Sequence, residues 1–293
     1  MGRFFLFSQN MRILVSILFS FLLLTSCKKD DDGNPSPVTA LTLMDVPYGG
    51  DPSQKMDIYL PAGRTVDSTK VIVLIHGGAW AEGDKSEFTP YVPAIQQRLK
   101  GFAIVNINYR LASTSGNYFP TQESDMKAVI DFLEQKTNEY KISEKYVLLG
   151  ASAGAHMALL QAYKYSTQPI SAVVDFFGPV DMVQLYNQAS SPVWQLGLQM
   201  LLSGTPQTNP VMYQQSSPLN FIDAQDPPTI IFHGTSDMIV DVSQSTLLQL
   251  QLQSKGIVNS LHTYTGLGHD VWPNHSMNDT FDKMEAFIKA NVQ

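Results

Sequence analysis

A serine lies in the segment Gly-Ala-Ser-Ala-Gly-Ala-His, residues 150–156, where an apolar run meets small residues and leucines. Serine becomes a nucleophile when an adjacent base can take its proton. A strand that turns sharply into a helix exposes such a serine, and Gly150 and Gly154 stand where side chains would collide. Because G-x-S-x-G arises by chance in roughly one chain of this length in ten, Ser152 needs partners elsewhere in the sequence.

A base for Ser152 could come from any of six histidines, and His269 is the preferred candidate. It lies in the segment Gly-Leu-Gly-His-Asp, directly after the last predicted strand, where open α/β sheets place their sites. His275 in the same loop is the second choice. The other four histidines are expected to have structural roles, either within a strand, in bracing loops or facing the interior. They are His76, His156, His233 and His262.

The histidine needs an orienting carboxylate, and Asp237 is the preferred candidate. It follows a predicted strand in the segment HGTSDMIVD, beyond the C-terminal end of that strand. Asp181, in FGPVDM, also follows a strand end and is the main competitor, whereas Asp241 is expected to cap the next helix. With Asp237, the chain order is Ser, Asp, His, which is typical of α/β-hydrolases.

A serine that attacks a carbonyl also needs donors for the oxyanion that forms, and the segment HGGAW could supply them. Gly77 and Gly78 follow an apolar run, and their lack of side chains lets the backbone approach a substrate oxygen. Together with the N–H of Ala153, they are predicted to form an oxyanion hole. These groups predict acyl transfer through a covalent serine intermediate. Because the base works only while unprotonated, activity is expected to fall in acid.

Strands and helices alternate from about Leu41, which predicts one doubly wound α/β domain over residues 41–293 with a mostly parallel sheet. Strands are predicted at 55–61, 70–78, 102–110, 145–152, 170–178, 228–234 and 260–266. Helices are predicted at 88–99, 120–136, 153–164, 242–256 and 278–292. Residues 182–227 interrupt this alternation and are expected to form a small cap-like insertion over the site or, alternatively, a peripheral helix pair.

The N-terminal segment has a different character. Two arginines precede the apolar stretch Ile13–Leu24, and Thr-Ser-Cys follows it, which predicts a secretory signal peptide over residues 1–26. The segment LTSC resembles the lipobox of bacterial lipoproteins, which implies acylation of Cys27; the alternative is an ordinary signal peptide with an incidental cysteine. Residues 27–40, rich in charge, glycine and proline, are predicted to be a flexible tether.

These features imply an exported protein, lipid-anchored to the bacterial cell envelope. Cys27 is the single cysteine of the chain and so has no disulfide partner. The acidic run after it resembles surface-export signals of some Gram-negative lipoproteins, or it is only a solvated spacer. Two or three acyl chains on Cys27 would anchor the protein stably.

Composition favours a globular enzyme-sized domain over a nucleic acid-binding one. The chain has 293 residues, of which 44% are apolar and 15% charged, with a formal net charge of −7. That apolar content can fill a sizeable core. Basic residues are not concentrated as nucleic acid surfaces require. The sequence shows no metal-ligand cluster, and serine-based acyl transfer requires no cofactor.

Eight segments resemble, in order, landmarks of the α/β-hydrolase superfamily, in the branch of hormone-sensitive-lipase-like and acetylxylan or feruloyl carboxylesterases. They are spread over roughly residues 45–292 and read HGGAWAEGDK, NINYRLA, FPTQESDMKAVIDFL, GASAGAH, FFGPVD, SSPLNFI, PPTIIFHGTSD and GLGHD. The resemblance implies an eight-stranded, mostly parallel sheet flanked by helices. It also implies a serine esterase acting on short-chain carboxylic esters, including acetyl or feruloyl esters of polysaccharides.

The same resemblance implies roles for the site residues, with Ser152 as nucleophile, His269 as base, Asp237 as acid, and Gly77, Gly78 and Ala153 as the hole. Arg110 and Asp84 are expected to brace the loops around the hole by ion pairing. The oxyanion motif has alanine where many relatives have a third glycine. A backbone donor survives that change.

The identity of the substrate stays open. Trp80, Phe177 and Trp272 are candidates to line the acyl or sugar side, with core packing as the alternative for each. The HGG-aromatic-W and SAGAH segments also resemble arylformamidases, so an amide hydrolase of the formamidase or peptidase kind is the first alternative. A non-catalytic surface-binding module of the same fold is the second.

Overall fold

The computed structural model describes residues 37–165, 169–270 and 277–293. From Pro37 onward the chain forms one compact unit. Within these ranges, no helix combines the length and the apolar character that crossing a lipid bilayer requires. Several expectations fall outside the described residues: the signal peptide, Cys27, the tether up to residue 36, Trp272 and His275.

The described residues form a central sheet of eight strands flanked by helices. The strands are β1 (Leu41–Pro47), β2 (Lys55–Leu60), β3 (Val71–Ile75), β4 (Ala103–Ile107), β5 (Tyr146–Ala151), β6 (Ile170–Phe176), β7 (Thr229–Gly234) and β8 (Asn259–Tyr264). The helices are α1 (Val92–Arg98), α2 (Thr121–Tyr140), α3 (Ala153–Lys164), α4 (Met182–Gln188), α5 (Pro192–Leu201), α6 (Pro210–Gln215), α7 (Ser243–Ser254) and α8 (Met277–Asn291). Short 3₁₀ helices lie at Lys85–Glu87, Thr89–Tyr91 and Pro218–Phe221.

The strand order is β1-β2-β4-β3-β5-β6-β7-β8. β2 pairs antiparallel with β1 and with β4, and every other neighbouring pair is parallel. The predicted eight-stranded, mostly parallel α/β sheet is therefore confirmed. Parallel strands joined through helices need cover on both faces, which explains why the central strand β3, with the sequence VIVLI, is apolar throughout.

Two apolar clusters, one on each face, hold the sheet between its helices. All five residues of β3 are buried, and their side chains alternate between the clusters. Val71, Val73 and Ile75 share one cluster with residues of α2, α3 and α7. Ile72 and Leu74 share the other with residues of α1 and α8. Because helices pack on both faces of the sheet, the ends of the strands are held in fixed positions.

Two elements differ from the sequence pattern. β1 was not predicted individually, because it is a mostly exposed edge strand whose pairing with β2 shifts register between Leu43 and Val46. The predicted helix at 88–99 is α-helical only from Val92 onward, after two 3₁₀ helices. Pro90 and Pro93 lack the N–H groups that a continuous α-helix would need there.

Residues 182–227 form three α-helices, α4 to α6, and the 3₁₀ helix at Pro218–Phe221. The insertion is packed onto the domain, because Leu185, Leu198 and Tyr213 are buried in the cluster that contains α2 and α3. It is also hydrogen-bonded to the domain, since the N–H of Phe119 donates to the carbonyl of Leu201 at 3.0 Å.

The expected ion pairs near the HGG loop are found in a different form. Arg110 pairs with Asp125 of α2, whose buried carboxylate accepts from the guanidinium and from the Arg110 backbone N–H. Asp84 does not share this pair. Its carboxylate caps the 3₁₀ helix at Lys85–Glu87 and accepts from the Asn108 amide at 2.7 Å. The Asp84 carboxylate therefore joins the start of the helix that follows it to Asn108.

Candidate active site

Ser152 occupies a strained turn between β5 and α3. Its backbone has φ 54° and ψ −119°, a conformation that costs a non-glycine residue about 1–3 kcal/mol. The N–H of Ser152 donates to the carbonyl of Phe176 at 2.8 Å and so holds the turn against the end of β6. The first N–H groups of a helix lack intrahelical partners, so the start of α3 at Ala153 is favourable for negative charge.

Two glycines make this turn possible. A Cβ on Gly150 would lie 2.3 Å from the backbone of Gly154, and a Cβ on Gly154 would lie 2.1 Å from the carbonyl oxygen of Ile75. Both contacts are with backbone atoms, which cannot swing aside. The two glycines flanking Ser152 are therefore required by close packing of α3 on β5 and β3.

Ser152, His269 and Asp237 form one continuous hydrogen-bonded chain. His269 Nε2 lies 2.9 Å from Ser152 Oγ, and His269 Nδ1 lies 2.6 Å from Asp237 Oδ2. An ionised carboxylate can only accept, so Nδ1–H donates to Asp237 and Nε2 is left to accept the serine proton. The three residues come from different strand ends: β5, β7 and β8.

Asp237 is buried and held by several donors. Its Oδ1 accepts the N–H groups of Ile239 and Val240 at 2.8 and 3.0 Å, while Oδ2 lies 3.2 Å from Nε2 of buried His233. Burial acts to raise the pKa of the Asp237 carboxyl, but hydrogen bonds from His233 and His269 outweigh it and hold the pKa well below its usual value. The carboxyl is therefore ionised at every pH at which the enzyme would work.

The competing aspartates have local structural roles. Asp181 caps α4, because its Oδ1 accepts from the N–H groups of Val183 and Gln184. Asp241 accepts the N–H of Ser243 at 2.9 Å at the start of α7. Each carboxylate satisfies donors that a helix start leaves unpaired.

Gly77 and Gly78 line the cleft that contains Ser152 and His269. Gly78 has φ +100°, and a Cβ there would lie 2.2 Å from the carbonyl oxygen of Glu82, so only glycine fits. Gly77 is more open, with its nearest contact at 3.1 Å. The loop therefore brings bare backbone next to the serine hydroxyl.

Buried side chains brace the HGG loop from below. The hydroxyl of Tyr109 donates to the carbonyls of His76 and Gly77, at 3.1 and 3.0 Å. The His76 ring stacks on the Tyr109 ring with 4.2 Å between centroids, and its Nδ1–H donates to the carbonyl of Gly77. His76 thus has the bracing position that its place before two glycines predicts.

Trp80 and His156 connect the HGG loop to α3 and to the insertion at residues 182–227. The indole N–H of Trp80 donates to His156 Nδ1 at 3.1 Å, and His156 Nε2–H donates to the carbonyl of Ser216 at 2.7 Å. Only 4% of Trp80 is exposed, yet its side chain also lines the pocket next to Ser152. Both functions considered for Trp80, core packing and pocket lining, are present.

Phe177 packs against the imidazole of His269, with ring centroids 4.4 Å apart. It follows β6 with φ 46°, and its N–H donates to the carbonyl of Phe232 at 2.9 Å. Phe177 lines the cleft beside Ser152. Its ring thereby restricts the orientations that His269 can adopt.

The structure adds Trp194 and Ile239 to the cleft wall, two residues that the sequence analysis did not select. Trp194 lies on α5 of the insertion, and Ile239 lies in the loop after Asp237. The expectation of a cap-like insertion over residues 182–227 pointed to a covering element, but not to the Trp194 side chain. Among the described residues, no group of His, Cys, Asp or Glu is arranged to hold a metal ion.

Comparison with known proteins gives one family match and several relatives. The chain matches the BD-FAE family over residues 56–252. It is 23% identical to esterase LipC of Mycobacterium tuberculosis over 237 residues, which are 76% of this chain and 58% of LipC. It is 36% identical to kynurenine formamidase of Danio rerio over 121 residues, which are 41% of this chain and 38% of the formamidase.

Solved structures share the fold. A truncated form of a carbohydrate esterase from gut microbiota superposes with a TM-score of 0.72 at 25% identity, covering 86% of this chain and 96% of that one. The chain spans about half the length of the curated relatives it matches first. Because the family match covers more than half of the chain and contains the HGG loop and the Ser152 elbow, the protein belongs to the BD-FAE family of α/β-hydrolase esterases.

Proposed function

We propose that this protein is a serine esterase that hydrolyses short-chain carboxylic esters through an acyl-enzyme intermediate. The observation that carries the proposal is the hydrogen-bonded chain from Ser152 Oγ through His269 to Asp237, with distances of 2.9 and 2.6 Å. A serine, a base and an orienting carboxylate in this geometry are the requirements of nucleophilic acyl transfer.

In the first step, His269 Nε2 removes the Ser152 proton while Oγ attacks the ester carbonyl. The carbonyl π bond becomes an oxyanion, which the N–H groups of Gly77, Gly78 and Ala153 stabilise in this proposal. Each such donor is worth about 2.7–4 kcal/mol at the transition state. The tetrahedral intermediate then expels the alcohol oxygen, which takes the proton from His269, and an acyl-Ser152 ester remains.

In the second step, His269 removes a proton from water, and the hydroxide oxygen attacks the acyl carbon. Collapse of the second tetrahedral intermediate breaks the bond to Ser152 Oγ, which regains its proton from His269. The carboxylic acid leaves and the enzyme is restored. Asp237 keeps Nδ1 protonated in both steps and stabilises the imidazolium, without itself being protonated.

We propose acetyl or feruloyl esters of oligosaccharides as the substrate class. Similarity to the gut carbohydrate esterase supports this class. The cleft on the His269 side is open, with about 880 Å³ of space, which suits a bulky alcohol such as a sugar. The proposed reaction uses protein side chains, backbone N–H groups and water.

An amide hydrolase acting on formamides is the second candidate. Similarity to kynurenine formamidase over 121 residues favours it, since serine chemistry also cleaves amides. A peptidase-like amide hydrolase needs the same groups. The third candidate is a non-catalytic binding module, which would not explain why the backbone at Ser152 is strained.

The test measures hydrolysis of p-nitrophenyl acetate, p-nitrophenyl butyrate, acetylated xylan, methyl ferulate and N-formylkynurenine. Wild type is expected to prefer the esters, and Ser152→Ala is expected to lose roughly a millionfold in kcat without unfolding. Ser254→Ala, an exposed serine on the last turn of α7, is the matched control and should behave as wild type. Preference for the formamide would overturn the esterase assignment, and ligand binding without Ser152-dependent turnover would indicate a binding module.

We also propose that the protein is exported and lipid-anchored through Cys27. Support comes from the arginines, apolar stretch and LTSC segment of the N-terminus. Two or more acyl chains would give stable anchoring. In a bacterial host, labelled palmitate should enter wild type but not Cys27→Ala, and only wild type should sediment with membranes. Unlabelled wild type released in soluble form would contradict the proposal.

A further inference from the structure

The inference concerns how the space around Ser152 is divided, and it rests on the proposed esterase reaction. One side contains His269 together with Gly77, Gly78 and Phe177. The departing alcohol oxygen must receive its proton from His269 Nε2, so it has to lie within hydrogen-bonding reach of that atom. The alcohol half of the ester is therefore assigned to the His269 side, and the acyl half to the other side of Ser152.

The other side is a small apolar pocket. It contains Ser152 but, among the described lining residues, not His269, and part of its roughly 380 Å³ of unfilled space is open to solvent. Its wall includes the large apolar side chains of Trp80, Leu185, Trp194 and Leu198. An acyl group bound there would exchange contacts with water for apolar contacts. The pocket therefore favours esters with short alkyl or aryl acyl groups over esters with charged acyl groups.

A second apolar space shares wall residues with this pocket. It is a groove along α5, partly open to solvent, lined by Ala112, Val193 and Met200, and its described lining does not include Ser152. Ala79, Trp80, Trp194 and Leu198 line both the pocket and the groove, and Trp194 also lines the His269 side. These side chains therefore form a partition between the pocket and the groove.

Trp194 is the part of the partition that can be changed without dismantling the core. Trp80 is 4% exposed and hydrogen-bonded to His156, and Leu198 is 3% exposed. Trp194 is only half-buried and lies in the first turn of α5. The Ser191 hydroxyl caps this helix by accepting the backbone N–H of Trp194, and the indole takes no part in the cap. Replacement of its side chain leaves that cap intact.

We infer that Trp194 is a specificity-determining residue that closes the acyl pocket and, of the acyl groups proposed above, limits the enzyme to short ones such as acetyl. Removal of the indole joins the pocket to the α5 groove and gives a longer acyl chain an apolar path. Each methylene that then becomes buried contributes up to about fourfold in kcat/KM. The effect is therefore a change of chain-length preference and not a general loss of activity.

The experiment compares kcat/KM for p-nitrophenyl acetate, butyrate, octanoate and decanoate in the full chain. Wild type should prefer acetate or butyrate. Trp194→Ala should raise the decanoate-to-acetate ratio at least tenfold, and Trp194→Leu should raise it by a smaller factor. Leu196→Ala, which lies on the same helix, is 65% exposed and lines neither space, is the control and should leave the ratio unchanged.

Thermal unfolding of each variant shows whether it is folded, and Trp194→Leu carries the test if Trp194→Ala does not fold. An unchanged ratio in a folded Trp194 variant that still hydrolyses acetate would overturn this inference alone. Wild-type preference for decanoate would overturn it as well. Absence of any ester hydrolysis that depends on Ser152 would overturn the esterase proposal and this inference together.

Discussion

His156 is a buried histidine whose hydrogen bonds determine its charge. Nδ1 accepts from Trp80 and Nε2–H donates to Ser216, so the ring is neutral with a defined tautomer. Burial lowers its pKa to about 4, against the opposing effect of the Ser216 carbonyl. Both ring nitrogens are engaged, so His156 cannot serve as a base for Ser152 although it follows it by four residues. The pair Ala155–His156 therefore reflects packing and does not by itself favour an amide substrate.

Asp175 of β6 is a second buried ionisable group with an unusual environment. Its Oδ1 accepts the N–H of Gly178 at 2.7 Å, and its Oδ2 has no hydrogen-bond partner among the described residues. Burial raises the pKa of this carboxyl to about 7, although Gly178 and His233 act in the opposite direction. In the unfolded chain the same proton is lost near pH 4. Between about pH 4 and 7 the folded state holds a proton that the unfolded state has released, so stability falls as pH rises.

Asp175→Asn is therefore expected to be more stable than wild type at pH 8, because an amide cannot ionise. The gain is at most about 4 kcal/mol, since each unit of pKa shift is worth about 1.4 kcal/mol. It should shrink as pH falls toward 4. Urea unfolding at several pH values measures it, with exposed Asp67→Asn as the control. A variant that is less stable than wild type at pH 8 would show that the carboxylate is accommodated as an ion.

α3 packs tightly against β3 and β5 at the site. Gly154 lies over the carbonyl of Ile75, where an added Cβ would be 2.1 Å away. Gly154→Ala must push the helix off the sheet, and we expect a loss of about 3 kcal/mol or more in stability. Chemical denaturation would measure the loss, and hydrolysis of p-nitrophenyl acetate should fall with it.

Gly197 of α5 provides the matched control for that substitution. A Cβ at this position has nothing within 4 Å, and its helix is otherwise regular. Gly197→Ala should therefore stabilise the protein by about 0.5–1 kcal/mol, the usual gain from replacing glycine inside a helix. Equal effects at the two glycines would mean that close packing is not what requires Gly154.

Strands and helices were predicted correctly where the sequence pattern that indicates them lies within one short segment. The apolar run of β3 and the elbow from β5 into α3 are local patterns, and both are observed. β1 and the start of α1 were less accessible, because an exposed edge strand has little apolar patterning and two prolines alter the helix start. The role of α5 could not be derived, because nothing local indicates which element its apolar residues will contact.

For the molecule as a whole, the order and register of the parallel strands bring the site together. Ser152 and His269 are 117 residues apart in the chain, and His269 and Asp237 are 32 apart. Each follows a strand whose C-terminal end lies at the same edge of the sheet, so short loops can join them. Asp181 follows a strand at this edge too, but its carboxylate is used to cap α4.

The sequence by itself determined the α/β class, the strand and helix alternation, the Ser152 elbow and a short set of candidate partners. These depend on periodicity and on glycines at turns, which are properties of neighbouring residues. Only the tertiary structure decided which aspartate lies 2.6 Å from His269, where His156 points, and that Trp194 separates a pocket from a groove. Those depend on distances between remote segments, which are set by strand order and close packing of the core.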